Sequence, residues 1–157
     1  ETLRLLEGIF DIYLPDARYA DSQTALRLSQ TKDYPVINQA ALKEMQRQVG
    51  GIQSNPDEII EKGLLIRHLV LPNKLSGTGE IMAFIAQELG PDTWISLMSQ
   101  YFPCHKAKDY PELAQRLTLE EYQEAMDIMH SHGLHNGWVQ DEQGLDRFAG
   151  VNIKTNL

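Results

Sequence analysis

The stretch from Gly63 to Asn73, Gly-Leu-Leu-Ile-Arg-His-Leu-Val-Leu-Pro-Asn, constrains the fold more than any other. Its apolar residues run almost unbroken, with no helical period, between a glycine and a Pro-Asn turn signal. A strand buried on both faces reads this way, as in a parallel sheet. Side chains alternate along a strand, so Leu65, Arg67, Leu69 and Leu71 share one face and Ile66, His68 and Val70 the other. A guanidinium in such a strand is costly unless it meets an anion or several acceptors. Arg67 therefore either pairs with an Asp or Glu of the chain or points into a ligand cavity to hold a carboxylate or phosphate.

The flanking sequence alternates strand and helix signals. Gly8 to Leu14 reads as a strand stopped by Pro15, with Asp16-Ala17-Arg18 as its exit loop. Asp21 or Ser22 caps a short helix to Ser29 carrying Ala25, Leu26 and Leu28. After a loop from Thr31 to Pro35, a helix spans about Ile37 to Val49, with Ile37, Ala41, Leu42, Met45 and Val49 as its apolar stripe and Gly50-Gly51 as its stop. Asn55-Pro56-Asp57-Glu58 carries a cap, a proline and two acids, which predicts a short helix ending at Gly63. Thr78 is placed to cap a helix to about Leu89, with Ile81, Phe84, Ile85 and Leu89 on one face and Gly90-Pro91 at its end. Thr93 to Met98 reads as a third strand, with Ser99 to His105 as its exit loop. Thr118-Leu119-Glu120-Glu121 is a capping box, with Leu117 and Tyr122 placed as a hydrophobic staple. Its helix turns Tyr122, Ala125, Met126 and Met129 inward and stops at Gly133. The division expected is an α/β unit over residues 1–135 and a polar, loop-like tail over 136–157.

Alternation of this kind implies parallel strands joined by right-handed crossovers. Three strands cannot close a barrel, so the chain forms an open α/β sheet or half of a (β/α) barrel. In both, ligands bind beyond the carboxyl ends of the strands. Those exits hold the most chemically loaded residues: Asp16 and Arg18, Arg67 to Asn73, and Gln100 to His105.

Composition narrows the function classes. With 157 residues the chain is long enough for one real core. A net charge of −8 argues against general nucleic-acid binding, which needs a basic face. No apolar run reaches membrane-spanning length, no signal peptide is expected, and the single cysteine, Cys104, forms no internal disulfide, so a reducing cytoplasm is the expected setting. One cysteine cannot hold an iron–sulfur cluster or a Cys-rich zinc site. The chain opens on Glu1 without an initiator methionine, which suggests a piece of something longer.

Three stretches carry a resemblance: Asp11-Ile12-Tyr13-Leu14-Pro15-Asp16-Ala17-Arg18-Tyr19-Ala20, Gly63 to Asn73, and Gln100-Tyr101-Phe102-Pro103-Cys104. Together they resemble the carboxy-terminal half of radical SAM proteins related to pyruvate formate-lyase activating enzyme, over about residues 8 to 133. The resemblance implies a partial (β/α)6, TIM-like barrel. It also implies a [4Fe-4S] cluster on a Cys-x3-Cys-x2-Cys motif and S-adenosylmethionine cleaved reductively to a 5′-deoxyadenosyl radical. The partner it implies is a glycyl-radical enzyme or another radical acceptor. In this reading the chain supplies strands four to six and lacks the half with the cluster motif, so it is inactive alone. Asp16 matches the acid of the family's Asp-x-Lys, with Arg18 in place of the lysine. Arg67 matches a fifth-strand arginine that contacts the methionine moiety, Tyr101 falls near an adenine-contacting position, and Gln100 lies beside it. The family's departure here is the absent cluster motif, and no metal ligand is assigned within the chain.

Other constellations read as structural. His130 and His132 point to different sides of a helix and cannot share an ion with His135, Cys104 and His105. Gly77-Thr78-Gly79 opens a helix without the rest of a phosphate-loop fingerprint, although its amides could meet an anion. The rival to the radical SAM reading is a stand-alone, non-catalytic α/β binding or interaction module. A half-barrel leaves an exposed strand edge, and that predicts self-association.

Overall fold

The structure is a computed structural model that describes residues 1–140, 147–148 and 151–152. Four parallel strands form the centre in the order β1 (Ile12–Tyr13), β3 (Ile60–Leu69), β4 (Trp94–Met98), β5 (Gly137–Val139), and β2 (Gln53–Ser54) pairs antiparallel with the start of β3. A separate antiparallel pair, β6 (Arg147–Phe148) and β7 (Val151–Asn152), follows. The helices are α1 (Thr2–Leu5), α2 (Ser22–Ser29), α3 (Tyr34–Val49), α4 (Thr78–Phe84) and α5 (Leu119–Ser131).

Spatial order follows chain order across the parallel strands, with no reversal. Crossovers of one hand that always step the same way put every helix on one side of the sheet. The core shows that outcome. Tyr13, Leu64, Ile66, Ile95 and Leu97 from the strands, with Val70 just after β3, pack in one cluster with Leu42, Met82, Ile85, Tyr122 and Met129 from the helices. These strand residues are all of one parity. The alternate residues belong to the other face, away from that cluster.

Several local expectations are corrected. The first strand does not start at Gly8. The Ile9 amide closes a turn onto the Leu6 carbonyl after α1, and extended pairing begins at Ile12. Pro15 interrupts the ladder because it has no N–H, but the pairing resumes in the same register at Asp16 and Arg67. The short helix expected from Asn55 is a turn into a hairpin. The Asn55 side-chain oxygen accepts from the amides of Asp57 and Ile59, each at 3.0 Å, so the polar side chain satisfies the backbone locally instead of capping a helix. β3 accordingly begins at Ile60 rather than Gly63. α3 begins at Tyr34, inside the expected loop, with Pro35 in its first turn, where a missing N–H costs nothing. Ile37 does not join the buried stripe and is 62% exposed, while Pro35, Leu42 and Val49 are buried. Thr78 does not cap α4. Gly77 takes that position with φ 70°, and the helix continues into a π turn over Ile85–Leu89.

The other helix signals hold. Asp21 caps α2 by accepting from the Thr24 amide at 2.6 Å. Thr118 and Glu121 form both halves of the capping box. β5 lies within the stretch expected as tail, and Gly137 makes it possible. There φ is 117°, and a Cβ would run into the Ile95 backbone of β4. The remainder of that stretch, 141–146, 149–150 and 153–157, lies outside the described residues.

Candidate functional site

The face turned away from the helices is bare at its edge strands and apolar, with one polar row across it. Alternation assigns it Ile12 and Leu14 from β1 and its extension, Leu65 and Leu69 from β3, Trp94 and Met98 from β4, and Trp138 from β5. At the edges Ile12, Leu14 and Trp138 are 42%, 50% and 50% exposed, whereas Leu65 and Met98 on the central strands are buried. Trp94 and Trp138 meet edge to face with centroids 5.4 Å apart. Asp16 is the register partner of Arg67, Arg67 of Ser96, and Ser96 of Trp138. A carboxylate, a guanidinium, a hydroxyl and an indole thus stand side by side on neighbouring strands, toward the carboxyl ends of β1 and β3.

The row is held at its acidic end by backbone and side chains together. The Arg67 amide donates to Pro15 O and the Ala17 amide to Arg67 O, both at 2.9 Å. Arg67 Nε and Nη2 each lie 2.7 Å from Asp16 Oδ1, and Arg18 Nη2 lies 3.2 Å from Asp16 Oδ2. Two guanidiniums on one carboxylate leave a local formal charge of about +1, the sign that suits an anionic ligand. Arg67 has the ion pair that was one of its two expected roles, and 42% of its side chain stays exposed. Asn38 Nδ2 and the Tyr34 hydroxyl donate to Asp16 O at 2.9 and 3.3 Å, and the Tyr34 oxygen accepts from the Arg18 amide at 3.3 Å. Burial pushes the Tyr34 hydroxyl pKa up, so it serves as a neutral donor.

His68 secures the same loop from the opposite side of β3. It is fully buried, with Nδ1 2.7 Å from Ala17 O and Nε2 3.0 Å from Thr78 Oγ1. The carbonyl can only accept, so Nδ1 carries the proton and Nε2 accepts from the hydroxyl. Burial holds its pKa down at about 4, with the Arg18 charge adding to the depression. Thr78 Oγ1 is 3.1 Å from Ser76 Oγ, which extends this buried polar string into the turn before α4.

Of the five sequence candidates, Asp16, Arg18 and Arg67 come together in one ion-pair cluster. Tyr101 and Gln100 follow β4 on its exit loop. The Tyr101 hydroxyl donates to Leu113 O at 2.8 Å, and burial raises its pKa. Gln100 accepts from Gln140 Nε2 at 3.4 Å, beyond the end of β5. Sequence reasoning missed Tyr34, Asn38, Ser96 and Trp138. The first two act through α3, whose start was misplaced, and the last two are visible only once β4 and β5 are in register. Among the described residues no group of three or more His, Cys, Asp or Glu could hold a metal ion, and His130 and His135 stack with centroids 5.3 Å apart. No described helix is long and apolar enough to cross a membrane.

The chain is similar to an uncharacterized protein of Methanocaldococcus jannaschii, 34% identical over 135 residues. That match takes in 85% of this chain but 36% of the relative, so the chain spans about a third of the length of the protein it matches. No protein-family model and no solved structure matches.

Proposed function

We propose that the chain is the carboxy-terminal half of a radical SAM enzyme of the glycyl-radical-activating type, with its bare sheet face turned toward bound S-adenosylmethionine. The Asp16–Arg67–Ser96–Trp138 row carries the reading. It places a net positive cluster and an aromatic plane on the face of a one-way parallel sheet turned away from its helices, near the strand carboxyl ends where such folds bind ligands.

These residues fit S-adenosylmethionine. Arg67 and Arg18 would hold the methionine carboxylate as charge-assisted donors, with Asp16 fixing their orientation. Trp138 or Tyr101 would face the adenine. The described residues do not fit an iron–sulfur cluster, because the chain has one cysteine and it is exposed. The reading therefore assigns cluster ligands to the remainder of a longer protein, in keeping with the relative's greater length. Held by that remainder, a cluster would supply the electron for radical chemistry on S-adenosylmethionine. The part of this chain is to bind, orient and exclude water.

The exposed Ile12, Leu14 and Trp138 favour one rival, a non-catalytic interaction module whose partner covers this face. One experiment separates the two. The coding DNA upstream of Glu1 is read for an in-frame Cys-x3-Cys-x2-Cys, and the intact protein is reconstituted anaerobically with iron, sulfide, reductant and S-adenosylmethionine. Formation of 5′-deoxyadenosine supports the enzyme. Absence of both the motif and the product leaves the module.

A further inference from the structure

One cavity lies away from the bare face and is lined by none of the five sequence candidates. It holds about 540 Å³ between α2, α4, α5 and the turn after β3, a size typical of small-molecule sites. Its walls include Val70, Leu71, Leu75 and Ile128, so any ligand body it takes is apolar. Two glycines line it. Gly77 packs so tightly that a Cβ there would sit 2.5 Å from the Ala20 Cβ, whereas a Cβ on Gly79 would meet nothing within 4 Å.

The polar residues around it have one dominant sign. Asp21, Glu80, Glu121 and Glu124 line the cavity against a single cation, Lys74, for a formal charge of −3, four acids less one base. Three of the acids already have work: Asp21 caps α2, Glu121 caps α5, and Glu124 pairs with Lys74 at 2.5 Å. Glu80 is exposed and makes no hydrogen bond or ion pair with another described residue. An apolar chamber with surplus negative charge and one carboxylate in reserve selects a molecule with a cationic head and a hydrocarbon body.

We propose that this cavity is a binding site for a small organic amine, separate from the row on the sheet face and independent of the radical SAM reading. The ammonium is held by Glu80, and the hydrocarbon part rests on Leu71, Leu75 and Ile128. Thr78 is shared between the cavity wall and the buried string through His68 to Ala17, so an occupant touches the element that anchors the Asp16 loop.

Benzylamine, benzyl alcohol and benzoate form a matched set of probes. Their binding to the intact protein is measured by saturation-transfer NMR. Benzylamine is expected to bind, with benzoate weaker by about tenfold or more because it meets like charge. Glu80→Gln, a change at an exposed residue, is expected to weaken benzylamine by roughly threefold and leave benzyl alcohol unchanged. Gly79→Leu places a side chain in open space on a helical backbone and is expected to abolish binding of both. Equal affinity for benzylamine and benzoate overturns the proposal. So does undiminished benzylamine binding in Gly79→Leu or in Glu80→Gln, or no benzylamine binding at concentrations on the order of 10 mM.

Discussion

Acidification to about pH 5 is expected to destabilise the fold by about 2 kcal/mol through His68 alone. In the folded chain the ring is fully buried, donates from Nδ1 to Ala17 O, and has a pKa of about 4 because burial disfavours the charged form. In the unfolded chain the same ring titrates near about 6.5. Between these values the unfolded state binds more protons, so stability is fully present above the upper value and falls as pH drops toward the lower one. Each pH unit inside that window is worth about 1.4 kcal/mol, and the one and a half units down to about pH 5 give about 2 kcal/mol. Urea unfolding at about pH 7.5 and about pH 5 reads this as a midpoint lowered by about 1 M. His68→Gln keeps a neutral donor and acceptor and is expected to flatten the pH dependence, at some cost in packing. Coincident wild-type midpoints at the two pH values refute the reasoning, as does an undiminished slope in His68→Gln.

Other consequences follow from single contacts. Gly137→Ala forces a Cβ into the Ile95 backbone at a positive φ, and thermal unfolding is expected to show a loss of at least about 2 kcal/mol. Asp16→Asn is expected to change stability by less than about 1 kcal/mol, because the Asp16–Arg67 pair is partly exposed; a much larger drop in urea would make the pair a structural element. The chain on its own is expected to self-associate through its uncovered apolar face, and Leu14→Glu with Trp138→Glu to abolish this. A concentration-independent monomer of the unaltered chain in light scattering counts against it.

Signals that act within a few residues were the legible ones. The Thr118 capping box, the Asp21 cap and the buried run before Pro72 depend on nearby residues; both caps appear where the sequence places them, and the run forms β3, which starts earlier than expected, at Ile60. What failed were choices between two local solutions. Asn55 has the chemistry of both a helix cap and a turn, and pairing of Gln53 with Lys62 in the hairpin selects the turn. Pro35 suits both a loop and a first helical turn. β5 was hidden because three residues give no periodicity, and only docking against β4 makes them a strand. Arg67 was recognisable as a misfit in an apolar strand. Its row was not, because Asp16, Ser96 and Trp138 become neighbours only through sheet register. The helices' burial on a single face follows from strand order, which no single segment encodes.

The most direct test of the central claim is equilibrium binding of S-adenosylmethionine to the intact, anaerobically reconstituted protein, wild type against Arg67→Ala. If the row is the ligand face, removal of the guanidinium weakens binding by about tenfold or more while the unfolding midpoint barely moves. Equal affinity in the two proteins, or no binding by the wild type, contradicts the account.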